Sequence, residues 1–169
     1  MAQPAHVPSA TLSLAVDNNH LAYLKWAFEQ SRMEHPESLF HRAVRKGRLE
    51  IIEWFRSVSN AKQIKTVIVS ASHSWALLHT EQEKSRWKLG MERLLADTRA
   101  DIVDYVTLYK YLVQADDSTT SQWLAHIALT NAKAYDPDAI LDKFVAYAAK
   151  RNAMGVWECL VGMSLGLAR

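Results

Sequence analysis

One pattern of residues is written three times along this chain. Shifted by 28 positions, Ala15, Val16, Leu21, Leu24 and Trp26 fall on Ala43, Val44, Leu49, Ile52 and Trp54. A third copy places Ala148, Ala149, Asn152, Met154 and Val156 on Ala43, Val44, Gly47, Leu49 and Ile51. In the middle of each copy stands Asn19, Gly47 or Asn152. Asn and Gly are the residue types that enter the left-handed backbone region at least cost. The pattern therefore predicts a helix closed by a left-handed turn and followed at once by a second helix, three times over.

The rest of the chain reads as helix too. After a flexible lead-in over 1–7, helices are expected from Pro8 to Val16 and from His20 to Gln30, with Leu21, Leu24 and Phe28 on one face. Pro36 and Glu37 open the next helix, which ends at Lys46-Gly47, and Arg48 to Ser57 follows. The β-branched run Val67-Ile68-Val69 fits a strand. Ile64, Val67, Ile68 and Ala71 also make a helical face, and a lone strand would lack a partner, so helix is preferred. Thr80 with Glu81 and Glu83 reads as a capped start. The helix after it carries Trp87, Met91, Leu94 and Leu95 on one stripe, with Gly90 inside at an expected cost of about 1 kcal/mol relative to Ala.

Ile102, Tyr105, Val106, Tyr109, Leu112 and Val113 form a further stripe, and 116–120 reads as a turn. Trp123, Leu124, Ile127 and Ala128 mark another helix. Asp136-Pro137 caps the next, which carries Leu141, Phe144, Val145 and Ala148. Trp157, Leu160 and Val161 lie on the last. About ten helices with short connections is the pattern of a stacked array. The expected layout is one all-α domain over 8–169: two units at 8–57, a divergent helical segment at 58–135 and a final unit at 136–169.

Apolar residues make up 49% of the chain and charged residues 22%, with only five Gly and four Pro. That balance belongs to a folded globular protein and disfavours a many-turned β architecture. The single cysteine, Cys159, excludes an intramolecular disulfide framework and suits a reducing, cytoplasmic setting. Apolar stretches are short and broken by charges, so no membrane span is expected. The first residues lack the basic start and apolar run of a signal peptide.

The second copy resembles an ankyrin repeat. Ser38-Leu39-Phe40-His41-Arg42-Ala43 is similar to that family's Thr-Pro-Leu-His-x-Ala opening, and Gly47-Arg48-Leu49-Glu50-Ile51-Ile52 to its Gly-His-x-x-hydrophobic-hydrophobic continuation. The first copy keeps Leu12, Ala15 and Asn19-His20-Leu21; the third keeps Val145, Ala148, Asn152 and Met154. The spacing of 28 is shorter than the family's 33, and Leu39 replaces its Pro. The resemblance implies stacked antiparallel helix pairs with shortened fingers, an irregular middle, and a protein-binding surface on inner helices and turn tips. It also implies that His41 bridges backbone groups of adjacent turns.

Candidate chemistry is sparse. His73 and His79 are six apart, without metal-ligand spacing, and Asp101 and Asp104 sit where a helix start favours acids. Asp116-Asp117 reads as a solvated loop. Cys159 falls on Trp54 and is expected in the core. No Gly-rich phosphate loop is written, and no cofactor is implied. The cations Arg42, Arg45, Lys46 and Arg48 are the candidate partner-binding residues, facing an acidic segment of another protein. Four cations in a chain of net charge +2 fall short of a nucleic-acid groove. The same cluster also reads as a helix end stabilised by its own dipole.

Three functions fit this reading. The first is a non-catalytic protein-binding module, compatible by fold analogy with a pathogen effector acting inside a host cell. The second is a helical enzyme or regulator with its site in the middle segment. Exposed Trp87 or Tyr109 would extend the binding face of the first. The third is self-association through the C-terminal unit, near Trp157 and Leu160.

Overall fold

The computed structural model describes residues 7–30, 36–95, 105–113, 117–131 and 137–167. Among them run ten α-helices and one 3-10 turn, with no strand. The chain divides into two compact units, one of Met1–Ser74 with Leu78–Asp97, the other of Trp75–Leu77 with Thr98–Arg169. The expected divergent segment, 58–135, is thereby shared between them.

The N-terminal unit holds α1 (Ser9–Asp17), α2 (Leu21–Glu29), α3 (Pro36–Lys46), α4 (Leu49–Val58), α5 (Ala61–His73) and α6 (Glu81–Leu95). A 3-10 turn, Ser74–Leu77, follows α5. Helix α3 is the centre, packing on α1, α4, α5 and α6. Leu39, Phe40, Ala43 and Val44 are buried on it, and Phe40 stacks on Phe55 of α4 with centroids 5.1 Å apart. The run at 67–69 is helical, with Val67, Ile68 and Ala71 buried. Asn60 and Gln63 close a capping box at the start of α5. Thr80 and Glu83 do the same for α6: Thr80 Oγ1 accepts from Glu83 N–H, and the Glu83 carboxylate accepts from the backbone of His79 and Thr80.

Two glycines let α6 lie against α3. A Cβ at Gly90 would stand 2.2 Å from the Val44 carbonyl oxygen. A Cβ at Gly47 would stand 2.8 Å from that of Arg86. Real Cβ contacts do not reach such values, so the two backbones meet only because both side chains are missing. The expected propensity cost at Gly90 is therefore offset by a tertiary contact that requires it. Trp87, one turn earlier, is fully buried and donates its indole N–H to the Ala71 carbonyl at 2.8 Å.

The C-terminal unit holds α7 (Tyr105–Val113), α8 (Ser118–Asn131), α9 (Pro137–Lys150) and α10 (Met154–Leu167). Its core joins Leu108, Tyr109, Leu124, Ala128, Phe144, Ala148, Val156 and Leu160. Tyr109 stacks on Phe144 with centroids 4.1 Å apart. Residues 118–120, expected as a turn, are the first turn of α8. Asp117 caps it, accepting from Thr120 N–H and Thr120 Oγ1, each at 2.9 Å. A side-chain carboxylate that satisfies the open amides lets the helix begin earlier than composition suggests.

The three predicted elbows share one backbone shape. Asn19, Gly47 and Asn152 have φ of 58°, 62° and 55°. In each, the next residue's N–H reaches back five positions: His20 to Ala15, Arg48 to Ala43 and Ala153 to Ala148, at 2.8, 2.9 and 3.1 Å. Each elbow residue's own N–H reaches back three positions, to Val16, Val44 and Ala149. This is the Schellman arrangement, which consumes the last carbonyls of one helix while aiming the next.

Several expectations change on the surface. Of the lead-in at 1–7 only Val7 lies within the described residues, and it is buried. Leu24 is buried as expected, but Phe28 and Trp26 are 38% and 41% exposed. Among the described residues helix α2 packs mainly on α1, which leaves part of its surface exposed. Asp101, Asp104, Ile102 and Asp116 lie outside the described residues, as does the side chain of Cys159.

Candidate partner-binding surface at the second elbow

The four candidate cations all sit at the end of α3 and the elbow that follows, but their roles diverge. Arg42 Nε donates to Asp17 Oδ1 at 2.8 Å, and Arg42 Nη2 to Asp17 Oδ2 at 2.6 Å. This is a two-pronged grip of a planar guanidinium on a carboxylate. Arg48 Nη2 donates to the backbone carbonyl of the same Asp17. One residue at the end of α1 thus receives two of the four cations. The guanidinium of Arg42 holds the Asp17 carboxyl below its ordinary range, against the opposing effect of burial, and Asp17 raises Arg42 in return. Lys46 adds a more distant attraction for Asp17.

Arg45 is not among the groups that hold Asp17. Its charge lowers the pKa of Glu83 at the start of α6, behind the backbone hydrogen bonds that dominate that shift. It also acts on His41, one turn before it. Burial first, and Arg45 second, push the His41 imidazolium below its ordinary 6.5. His41 Nε2 is buried without a hydrogen-bond partner, so the bridging role implied by the family resemblance is not made through that nitrogen. Arg45 and Lys46 are half-buried.

The remaining candidates do not join this surface. Trp87 and Tyr109 are both fully buried, so neither extends it. His73 and His79 are exposed, at the end of α5 and just before α6. Among the described residues no group of three or more His, Cys, Asp or Glu side chains gathers to hold a metal ion. No described helix is long and apolar enough to cross a membrane.

Reading the sequence missed Asp17 as the partner of Arg42 and Arg48. The repeat carried no signal for it: shifted by 28, Asp17 falls on Arg45, which is not in the clasp, and Arg42 falls on Leu14.

A groove of about 470 Å³ lies on the outer side of α1 and α2, lined by Thr11, Leu14, Asn18, His20 and Tyr23 among others. Leu14 is 59% exposed there. No family model, curated protein or solved structure matches this chain.

Proposed function

We propose that the protein is a non-catalytic interaction module, an ankyrin-like array of helix pairs that binds an acidic segment of a partner protein at its second elbow. The observation that carries this reading is the division of labour among the four cations. Arg42 and Arg48 fasten the second elbow to the first through Asp17, so the elbow is held rigid. Arg45 and Lys46 are half-buried and stand apart from the Asp17 hydrogen bonds, so a carboxylate-bearing segment engages them without dismantling the clasp. An elbow already fixed by the clasp loses little freedom when a partner docks on it, which favours affinity.

The test is capture from a lysate of the native cell with wild-type protein and with the Arg45→Glu/Lys46→Glu variant, compared quantitatively. The expected result is loss of the specifically captured proteins from the variant while its thermal melt stays close to wild type. The same captured set on both baits would overturn the assignment of this surface.

A further inference from the structure

The cation pair that precedes the second elbow recurs before the third. Asn152 lies 105 positions after Gly47, and at that offset Arg45 and Lys46 fall on Lys150 and Arg151. Arg42, which grips Asp17 in the second copy, falls on Tyr147. An aromatic ring thus stands where the clasp would be, and cations gather on it. Arg151 lies over the Tyr147 ring with its guanidinium carbon 5.6 Å from the centroid, and its Nε donates to the Tyr147 hydroxyl at 3.1 Å. Lys110, from α7, places its Nζ 6.0 Å from the same centroid. The ring is anchored on the core, meeting buried Tyr109 edge-on with centroids 6.4 Å apart.

This arrangement concentrates like charge. Each cation is attracted by the π electrons of the ring, but two cations on one ring repel each other. Among the described residues no carboxylate forms an ion pair with Lys110 or Arg151, and both are exposed. The Tyr147 hydroxyl accepts from Arg151 and keeps its own proton to donate. Lys143 and Lys150, four residues before Tyr147 and three after it, are exposed on the same side of α9. A row of cations along a helix fits several spaced carboxylates better than one small anion. Residues 98–169 hold seven Lys or Arg against eight Asp or Glu, so the positive charge is local to this face. That balance is unlike the broad basic surface that nucleic acid requires.

We infer that the α7–α9 face around Tyr147 is a second acid-binding surface, which takes an Asp- and Glu-rich segment of a partner protein. A carboxylate of that segment bridges Lys110 and Arg151, relieves their repulsion and accepts the Tyr147 proton. Lys143 and Lys150 meet the neighbouring carboxylates along the helix. The surface shares no residue with the second elbow, so either can act without the other.

Fluorescence anisotropy of a labelled poly-glutamate peptide tests this, with the full chain carrying Arg45→Glu/Lys46→Glu so that the second elbow is silent. The expected result is binding that weakens as salt is added. Affinity should fall about tenfold on adding Lys110→Gln/Arg151→Gln. Neutral glutamine suits both exposed positions, because an acid near the end of α9 would oppose the helix dipole. Tyr147→Phe keeps the ring on Tyr109 and removes the hydroxyl, so it lowers affinity by a smaller factor. No binding to the Arg45→Glu/Lys46→Glu chain, or equal affinity after Lys110→Gln/Arg151→Gln, overturns the inference. Tighter binding of a single-stranded oligonucleotide than of poly-glutamate overturns it too, and assigns the face to nucleic acid. None of these outcomes bears on Arg45 and Lys46, whose own test is the lysate comparison.

Discussion

An alanine at position 90 would set two opposed effects against each other in one side chain. Within a helix, Gly to Ala gains about 1 kcal/mol of propensity. Here the added Cβ would fall 2.2 Å from the Val44 carbonyl oxygen, a backbone atom that cannot rotate aside. Helix α3 and helix α6 would have to part, opening the seam that buries Met91 and Leu94. Overpacking of this kind costs on the order of 1–3 kcal/mol, which outweighs the propensity gain. Gly90→Ala is therefore expected to lower the urea midpoint with little change in slope. A midpoint equal to or above wild type would mean that the helices separate at no cost. Nothing in the sequence marks this glycine as a contact, because its neighbour Val44 lies on a different helix and only the crossing brings the two backbones together.

At the scale of elements, the elbows were legible and the joint between them was not. A left-handed turn restricts residue type so strongly that three occurrences of Asn or Gly at one repeat position located all three Schellman ends. The helix boundaries followed within a residue or two, except at α8, where the capping role of Asp117 was read as a solvated loop. The Asp17 clasp escaped because an ion pair between helices depends on how α1 lies against α3. The clasp is half-exposed, so its contribution is discounted for solvent: a double-mutant cycle of Asp17→Asn and Arg42→Ala should yield a coupling of about 0.5–1 kcal/mol. It should shrink as salt is added. Asp17→Asn leaves the Arg48 bond to the backbone carbonyl in place, so the elbow geometry survives and the cycle isolates the ion pair. A coupling of zero at low salt would reduce the clasp to a surface contact without energetic weight.

For the molecule as a whole, these local environments predict two separate losses of stability on acidification. His41 is held below its ordinary pKa of 6.5 by burial and by Arg45, so its folded form resists protonation that the unfolded chain accepts. The unfolded state then binds more protons than the native state, and stability falls as pH drops. That loss begins near 6.5, grows as pH descends to the lower folded value, and stops there. Asp17 and Glu83 are also held below their ordinary values, by Arg42 and by the amides at the start of α6 respectively. Their contributions are complete above the ordinary carboxylate range and vanish as pH falls through their lowered folded values. The first window belongs to one half-buried ring and the second to an ion pair and a helix cap. The remaining described histidines, His20, His73, His79 and His126, are exposed. Urea midpoints measured from about pH 7.5 to 5.5 should therefore decline in wild type and flatten in His41→Phe, which keeps a ring in the site without a titrating nitrogen. The acid-range decline should remain in that variant and weaken in Asp17→Asn. A wild type whose midpoint is constant across the upper window would show that His41 is protonated as freely in the fold as out of it, contrary to its buried, unpaired Nε2.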